Sequence, residues 1–254
     1  MISPLAYIHP EAVIGKNCKI GPFCYIDEGV VIGDDNVLMN SVTVLHGARI
    51  GNGNTFFPGA VISAIPQDLK FRGEESTAEI GDNNIFRENV TVNRGTAAKN
   101  RTIVGNDNLL MEGAHVAHDV IVGNHCIIGN TTKIAGEVII DDFATISACV
   151  LIHQLTHIGG YCMVGGGAGI SQDVLPYSIC ARHPAAFYGL NKVGLHRRGF
   201  TSEKMDEIHN AYQILLHSGK PYAERLADLK NLPQTPEIQY ILKFIEESKR
   251  GFTN

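Results

Sequence analysis

Apolar residues recur at every sixth position along most of this chain, and no other feature restricts its fold as severely. They fall at Ile8, Ile14, Ile20, Ile26, Ile32, Leu38, Val44, Ile50, Phe56 and Ile62, then at Ile80, Phe86 and Val92. The same register resumes at Val104, Leu110, Val116 and Val122 and runs on through Ile128, Ile134, Ile140, Ile146, Ile152, Ile158 and Val164 to Ile170. A helix repeats at about 3.6 residues and a strand at about 2, so a period of six signals a solenoid. Glycine often follows the apolar residue, as at Gly15, Gly33, Gly51, Gly105 and Gly123, where a corner is expected to need freedom in φ. The fourth position after it is usually small, as at Cys18, Cys24, Ala48, Ala60, Ala114 and Ala144. Three hexads make one triangular coil of 18 residues, with the branched side chain filling the axis and the small one beside it.

This repeat resembles that of the hexapeptide-repeat family, whose fold is a left-handed parallel β-helix; the resemblance alone implies the hand. An all-β solenoid plus α is therefore expected: a left-handed parallel β-helix over residues 1–176 and a small C-terminal helical domain over 177–254. Two polar segments leave the repeat, Ser63–Glu79 (SAIPQDLKFRGEESTAE) and Asn93–Arg101 (NRGTAAKNR). Both are expected as external loops, the kind of segment that carries binding residues on a rigid scaffold. The register of six survives both. Beyond Pro176 the spacing becomes helical over 202–217, 222–229 and 236–249, and those apolar faces are expected to cover the open end of the solenoid.

A thin axial core agrees with the absence of Trp and with only 7% aromatic residues. A net charge of −5 without a basic run excludes a nucleic-acid surface. No apolar stretch of about 18 residues and no basic-then-apolar leader is present, so a cytoplasmic protein with no membrane span is expected. Cys18, Cys24, Cys126, Cys162 and Cys180 occupy the small-residue phase and read as inert core residues; only Cys149 falls outside it. Without clustered cysteine spacing, neither a disulfide framework nor a zinc site is expected.

From Val104 to Ile170 the repeat is continuous, so residues 18 apart stack about 4.8 Å from one another. His118 then lies beneath Gly136 and, two coils on, Gln154; His115 faces Lys133, and Asp119 faces Glu137. A histidine with an adjacent carboxylate and a bare glycine backbone above it suits proton abstraction beside an oxyanion. Solenoid faces also carry purely structural polar ladders, but His153 and His157 two coils on add to the polar cluster. A metal site between subunits is an alternative, although hexapeptide-repeat carbonic anhydrases use HxxxxH where this chain has HxxH.

The segments NLLMEGAHVAHDVIVGNHCIIGN, AGEVIIDDFATIS, HQLTHIG, MVGGGAG and GLNKVGLHRRGF, with PQDLKFRGE and VNRGT before them, resemble the UDP-N-acetylglucosamine O-acyltransferases of lipid A biosynthesis. The resemblance implies transfer of an (R)-3-hydroxyacyl group from acyl carrier protein to the sugar 3-hydroxyl of UDP-N-acetylglucosamine. It implies a homotrimer with sites between neighbouring solenoids, and neither cofactor nor metal. The family's general base falls on His118, its orienting carboxylate on Asp119 and its oxyanion N–H on Gly136. Asp68, Lys70, His115, His153 and Gln154 match positions around the acyl and sugar groups, while Asn191, Arg197 and Arg198 match the nucleotide end. The arginines are expected just before a helix starting at Thr201–Ser202.

Glu137 and Asn93 stand where relatives often carry histidine, Val193 where some carry glutamate, and Pro184 where histidine is frequent. Gly166 matches a position where bulk shortens the accepted acyl group, so a long chain is expected. Lys192, His196, Arg197, Arg198, Lys204 and Lys220 form a basic group expected to meet the acidic carrier protein. Three other readings stay open: the sister N-acyltransferase, which carries an extra amino-terminal domain; a coenzyme A-dependent hexapeptide acyltransferase; and a non-enzymatic solenoid.

Overall fold

Each hexad folds as a short strand, usually of two residues, followed by a corner, and the strands stack into three flat sheets of nine, eight and ten strands. This is a computed structural model, and it describes residues 1–254. Pairing between coils is parallel with an 18-residue step, as in Tyr7 with Tyr25 and His115 with Lys133. The step becomes 30 at Val61 with Thr91 and 24 at Thr77 with Arg101. The two excursions thus insert whole multiples of the hexad, which is why the period persists across them.

The axial residues form one core of 42 buried residues running the length of the prism. Cys18, Cys24, Cys126, Cys162 and Cys180 are buried and Cys149 is exposed; burial pushes the Cys126 thiol up to about 12. The sequence pattern did not separate out a second internal element. Asn36, Asn54, Asn84 and Asn108 are buried one above another, Asn54 Nδ2 donating to Asn36 Oδ1 at 3.1 Å and Asn84 Nδ2 to Asn54 Oδ1 at 3.0 Å. Asn108 joins the ladder through its backbone, its N–H donating to Asn84 Oδ1 at 2.9 Å while its Nδ2 donates to Gly123 O at 2.9 Å, so the buried amides are satisfied where water cannot reach.

The glycines after the axial residue have a different cause from the one expected. None of Gly15, Gly33, Gly51, Gly105 or Gly123 has positive φ; the left-handed corner residues come two positions later, as at Asn17, Asp35, Gly53, Asp107 and His125. A Cβ at Gly33 would lie 2.6 Å from Gly51 O and 2.5 Å from Asn52 Oδ1. Close approach of successive coils excludes the side chain there.

The prism does not stop at Pro176. Ser178–Ala181 adds a parallel strand beside Met163–Val164, and Ala186–Leu190 turns back antiparallel on it. Four helices follow: α1 (Lys192–Arg197), α2 (Ser202–Tyr212, continued by a π-helical turn Gln213–His217), α3 (Tyr222–Lys230) and α4 (Pro236–Glu247). α1 is an addition to the expected set, short and capped by the Asn191 side chain, so Arg197 and Arg198 end one helix as well as preceding the expected one, which starts at Ser202 with Thr201 as its cap. A second core of 14 residues joins the helices to Leu175 and Tyr177. α4 also runs onto the flank of the eight-stranded sheet. There Tyr240 Oη donates to Asp141 Oδ2, Gly160 N donates to Tyr240 Oη at 2.7 Å, and the His157 ring packs 4.4 Å from Phe244. No helix is long and apolar enough to cross a membrane.

Candidate active site

His118 occupies the corner where the strand His115–Val116 of the nine-stranded sheet hands over to Ile121–Val122 of the eight-stranded sheet. Val116 and Val120 are fully buried and fix the corner, and Asp119 adopts φ 61°, a conformation that aspartate tolerates better than most residues. The corner turns the Asp119 side chain inward, to 0% exposure, and leaves His118 facing a cleft.

His118 Nδ1 lies 2.8 Å from Asp119 Oδ2. Thr96 N, Thr96 Oγ1 and Lys99 N also donate to this carboxylate, at 3.0, 2.6 and 3.1 Å. With every neighbour a donor, the acceptor-only ionised form is the one that satisfies them all, so Nδ1 carries its proton toward Asp119 and the Nε2 lone pair faces the cleft. Asp68 Oδ2, from the first excursion, lies 3.9 Å from Nε2. Lys70 is exposed, and its backbone N–H bonds Asp68 Oδ1 at 2.9 Å.

Gly136 stacks on the ring as the 18-residue step requires: a Cβ there would fall 2.5 Å from His118 Cε1. Its flanking residues bond across the coils, Ala135 N to Ile152 O and Glu137 N to His118 O, while the Gly136 N–H has no acceptor in the chain. His115 Nδ1 lies 2.7 Å from Thr91 Oγ1. Burial, with the Lys133 charge adding to it, lowers the His115 imidazole below its ordinary value.

The cleft measures about 400 Å³ and is lined by Gln67, His115, His118, Gly136, Leu151 and Gln154 among others. Leu151 and Ile152 also line a second hollow of about 360 Å³, which takes in His153, Ser171, His183 and Pro184. His153 is exposed, with Nδ1 3.1 Å from Gln154 O. Gly166 is exposed, and a Cβ there would have only Ala148 O, at 3.4 Å, and Ser147 Cβ, at 3.9 Å, for neighbours.

Other candidates lie apart. His157 belongs to the eight-stranded sheet and pairs with Asp141 at 2.9 Å under α4, so it is not part of the His118 cluster. The three groups close enough to share a metal are instead His9, Glu11 and Glu28, far down the prism. Asn191 is committed to capping: its Oδ1 accepts from Gly194 N at 3.2 Å and its Nδ2 donates to Tyr161 O at 2.9 Å. The Arg198 guanidinium stacks 4.4 Å over Phe143, at the corner between the eight- and ten-stranded sheets, and Arg197 beside it is exposed. One chain therefore does not bring these three residues to His118.

Among the departures, Asn93 is buried and holds the first excursion through Ile65 O at 2.8 Å, and Val193 is 64% exposed. Glu137 occupies a left-handed corner, and Pro184 lines the second hollow. Of the basic group, Lys204 and Lys220 are paired with Glu237 and Asp228 at 2.6 and 2.5 Å. Thr96 and Lys99 are not legible from the repeat, because they lie in an excursion where no period relates them to Asp119; the VNRGT motif, which contains Thr96, is the signal that bears on them.

Residues 173–253 match the family described as UDP N-acetylglucosamine O-acyltransferase, domain 2, and residues 101–136 match the bacterial transferase hexapeptide repeats. Over the whole length of both chains the protein is 62% identical to LpxA, a UDP-N-acetylglucosamine acyltransferase from Bacteroides fragilis, with a TM-score of 0.98. It is 38% identical to LpxA from Acinetobacter baumannii (100% of this chain, 99% of that one, TM-score 0.96). The UDP-N-acetylglucosamine acyltransferase of Arabidopsis is 32% identical over 100% of both chains, with a TM-score of 0.89. The solenoid is thus the left-handed parallel β-helix expected, and with full-length identity of this order the chain is an acyltransferase that belongs to the UDP-N-acetylglucosamine O-acyltransferase family.

Proposed function

We propose that this enzyme transfers an (R)-3-hydroxyacyl group from acyl carrier protein to the 3-hydroxyl of UDP-N-acetylglucosamine, the first step of lipid A biosynthesis, in the cytoplasm. The observation that carries the reading is the His118–Asp119 pair, with Nε2 free toward a cleft and the unclaimed Gly136 N–H stacked on the ring. His118 Nε2 removes the proton of the sugar hydroxyl as its oxygen attacks the thioester carbonyl carbon. The carbonyl oxygen becomes an oxyanion, which the Gly136 N–H receives. Collapse re-forms the carbonyl and breaks the carbon–sulfur bond, and the proton on Nε2 passes to the departing thiolate. Asp119 holds the imidazole and balances its charge while it is protonated.

Asp68, Lys70, His115, His153 and Gln154 surround the sugar and the acyl head, and the hollow between Leu151 and Pro184 takes the chain. Gly166 leaves room for a long chain. The separation of Asn191, Arg197 and Arg198 from His118 supports a homotrimer in which a neighbouring solenoid brings the nucleotide-binding residues to each cleft. Lys192, His196, Arg197 and Arg198, unpaired within the chain, favour docking of the acidic carrier protein. The test is acyl transfer between this donor and acceptor by wild type and a folded His118→Ala variant. Loss of about a hundredfold or more supports the base. Equal activity removes His118 from the mechanism, and an inactive wild type removes the substrate pair.

A further inference from the structure

We propose that Thr96 is a positioning residue for acyl transfer, acting on His118 through the Asp119 carboxylate; the inference rests on reading His118 as the base. Thr96 is 6% exposed. Its hydroxyl donates to Asp119 Oδ2 at 2.6 Å, and the same oxygen receives His118 Nδ1 at 2.8 Å. The direction of the hydroxyl is set from both sides. Ala98 N donates to Thr96 Oγ1 at 3.2 Å and occupies its acceptor side, while an ionised Asp119 can only accept.

The rest of the cradle pins the other carboxylate oxygen. Thr96 N and Lys99 N reach Oδ1 at 3.0 and 3.1 Å, and the Asp119 backbone N–H is held by Thr102 Oγ1 at 2.8 Å. Without the Thr96 hydroxyl, Oδ2 keeps His118 Nδ1 and only a 3.2 Å contact from Thr96 N. The carboxylate can then turn about Oδ1, and the imidazole, which takes its direction from Oδ2, turns with it. The inserted hexad of the second excursion thus has a chemical use: it supplies the donors that a fully buried carboxylate requires. It is itself wedged against the first excursion, with Ala97 N on Glu74 Oε1 at 2.9 Å and the Arg94 guanidinium 5.5 Å over Phe71.

The experiment measures kcat and KM for both substrates in the full-length enzyme, for Thr96→Val, Thr96→Ala, Thr96→Ser, Asp119→Asn and the Thr96→Val/Asp119→Asn double variant. One hydrogen bond to a charged group corresponds to about a tenfold to hundredfold change, so kcat is expected to fall by that factor in Thr96→Val and Thr96→Ala. KM should stay within about twofold, because the interaction matters only in the transition state. Thr96→Ser should recover at least about half of wild-type kcat, and in the Asp119→Asn background Thr96→Val should cost less than about threefold. Thr96→Ala removes the hydroxyl without placing a methyl group against the carboxylate, so it decides the matter if Thr96→Val does not fold. Kcat retained within about twofold in Thr96→Ala, a serine variant as poor as alanine, or an undiminished loss in the Asp119→Asn background overturns the inference. His118→Ala matching wild type overturns both the base and this inference. Wild-type inactivity with this pair instead identifies the substrate reading as the one at fault.

Discussion

Replacing Gly136 by alanine tests how tightly the placement of the His118 ring governs the rate. The added Cβ would lie 2.5 Å from His118 Cε1 and 2.6 Å from Nε2. Carbon atoms rest at about 3.5–4.0 Å, so the ring must withdraw by about 1 Å. Gly136 is not a positive-φ glycine, and its backbone accepts alanine; the displacement falls on the imidazole. The ring cannot follow by carrying Asp119 with it, since that carboxylate is fully buried and held by Thr96 and Lys99. A misplacement of about 1 Å at a reacting group costs about a hundredfold, or about 2.7 kcal/mol of barrier. Kcat for sugar acylation should therefore fall by about that factor, while the melting temperature changes by no more than a few degrees. The Gly136 N–H survives the substitution, so the loss reports on the base and not on the oxyanion contact. A Gly136→Ala enzyme with kcat within about threefold of wild type would refute the idea that the stacked His118 ring is the reacting group.

Three further outcomes are expected. The depressed proton affinity of folded His115 means the unfolded chain binds that proton first as pH falls; the residue costs nothing above the unfolded value of about 6.5 and opposes folding progressively below it. Thermal unfolding of His115→Asn between pH 7 and pH 5 should decline less steeply than wild type, and parallel curves would contradict this. Tyr240→Phe removes the hydroxyl shared by Asp141 and the Gly160 N–H, and should lower stability by about 1–3 kcal/mol, read as a melting shift of several degrees. Gly166→Met should shift the products of the reconstituted reaction toward shorter acyl groups; an unchanged chain-length distribution would take Gly166 out of the acyl path.

Legibility in the sequence followed the repeat. Residues inside the unbroken run from Val104 to Ile170 could be placed by counting, because every coil there has the same 18-residue length. That is why the period alone puts His118, Gly136 and Gln154 on one edge and His115 opposite Lys133. The hexad also places glycines where coils approach closely, but their reason, steric exclusion and not a left-handed turn, depends on the inter-coil distance, which a period does not contain. His157 looked close to His153 by number, yet the intervening corner puts it on another sheet and under α4.

The excursions and the helices follow no period, and there the sequence lost its metric. Thr96 and Lys99 lie 23 and 20 residues from Asp119, neither of them the 18 of a coil, and only the folded second excursion returns them to it. The same holds for Asp68, which comes within 3.9 Å of His118 only because the first excursion folds back over its corner. A regular prism can place a histidine and a glycine at one address, but each coil presents the same backbone to solvent, so it cannot by itself bury a carboxylate beside that histidine. The departures from the repeat supply what regularity cannot: donors for Asp119 from one insertion and a second carboxylate from the other. Deleting Arg94–Lys99 as a whole hexad would keep the stacking in register, yet strip Asp119 of Thr96 and Lys99. Such a chain is expected to keep its β circular-dichroism signal and lose acyl transfer. Retained activity would show that the solenoid alone suffices for the chemistry.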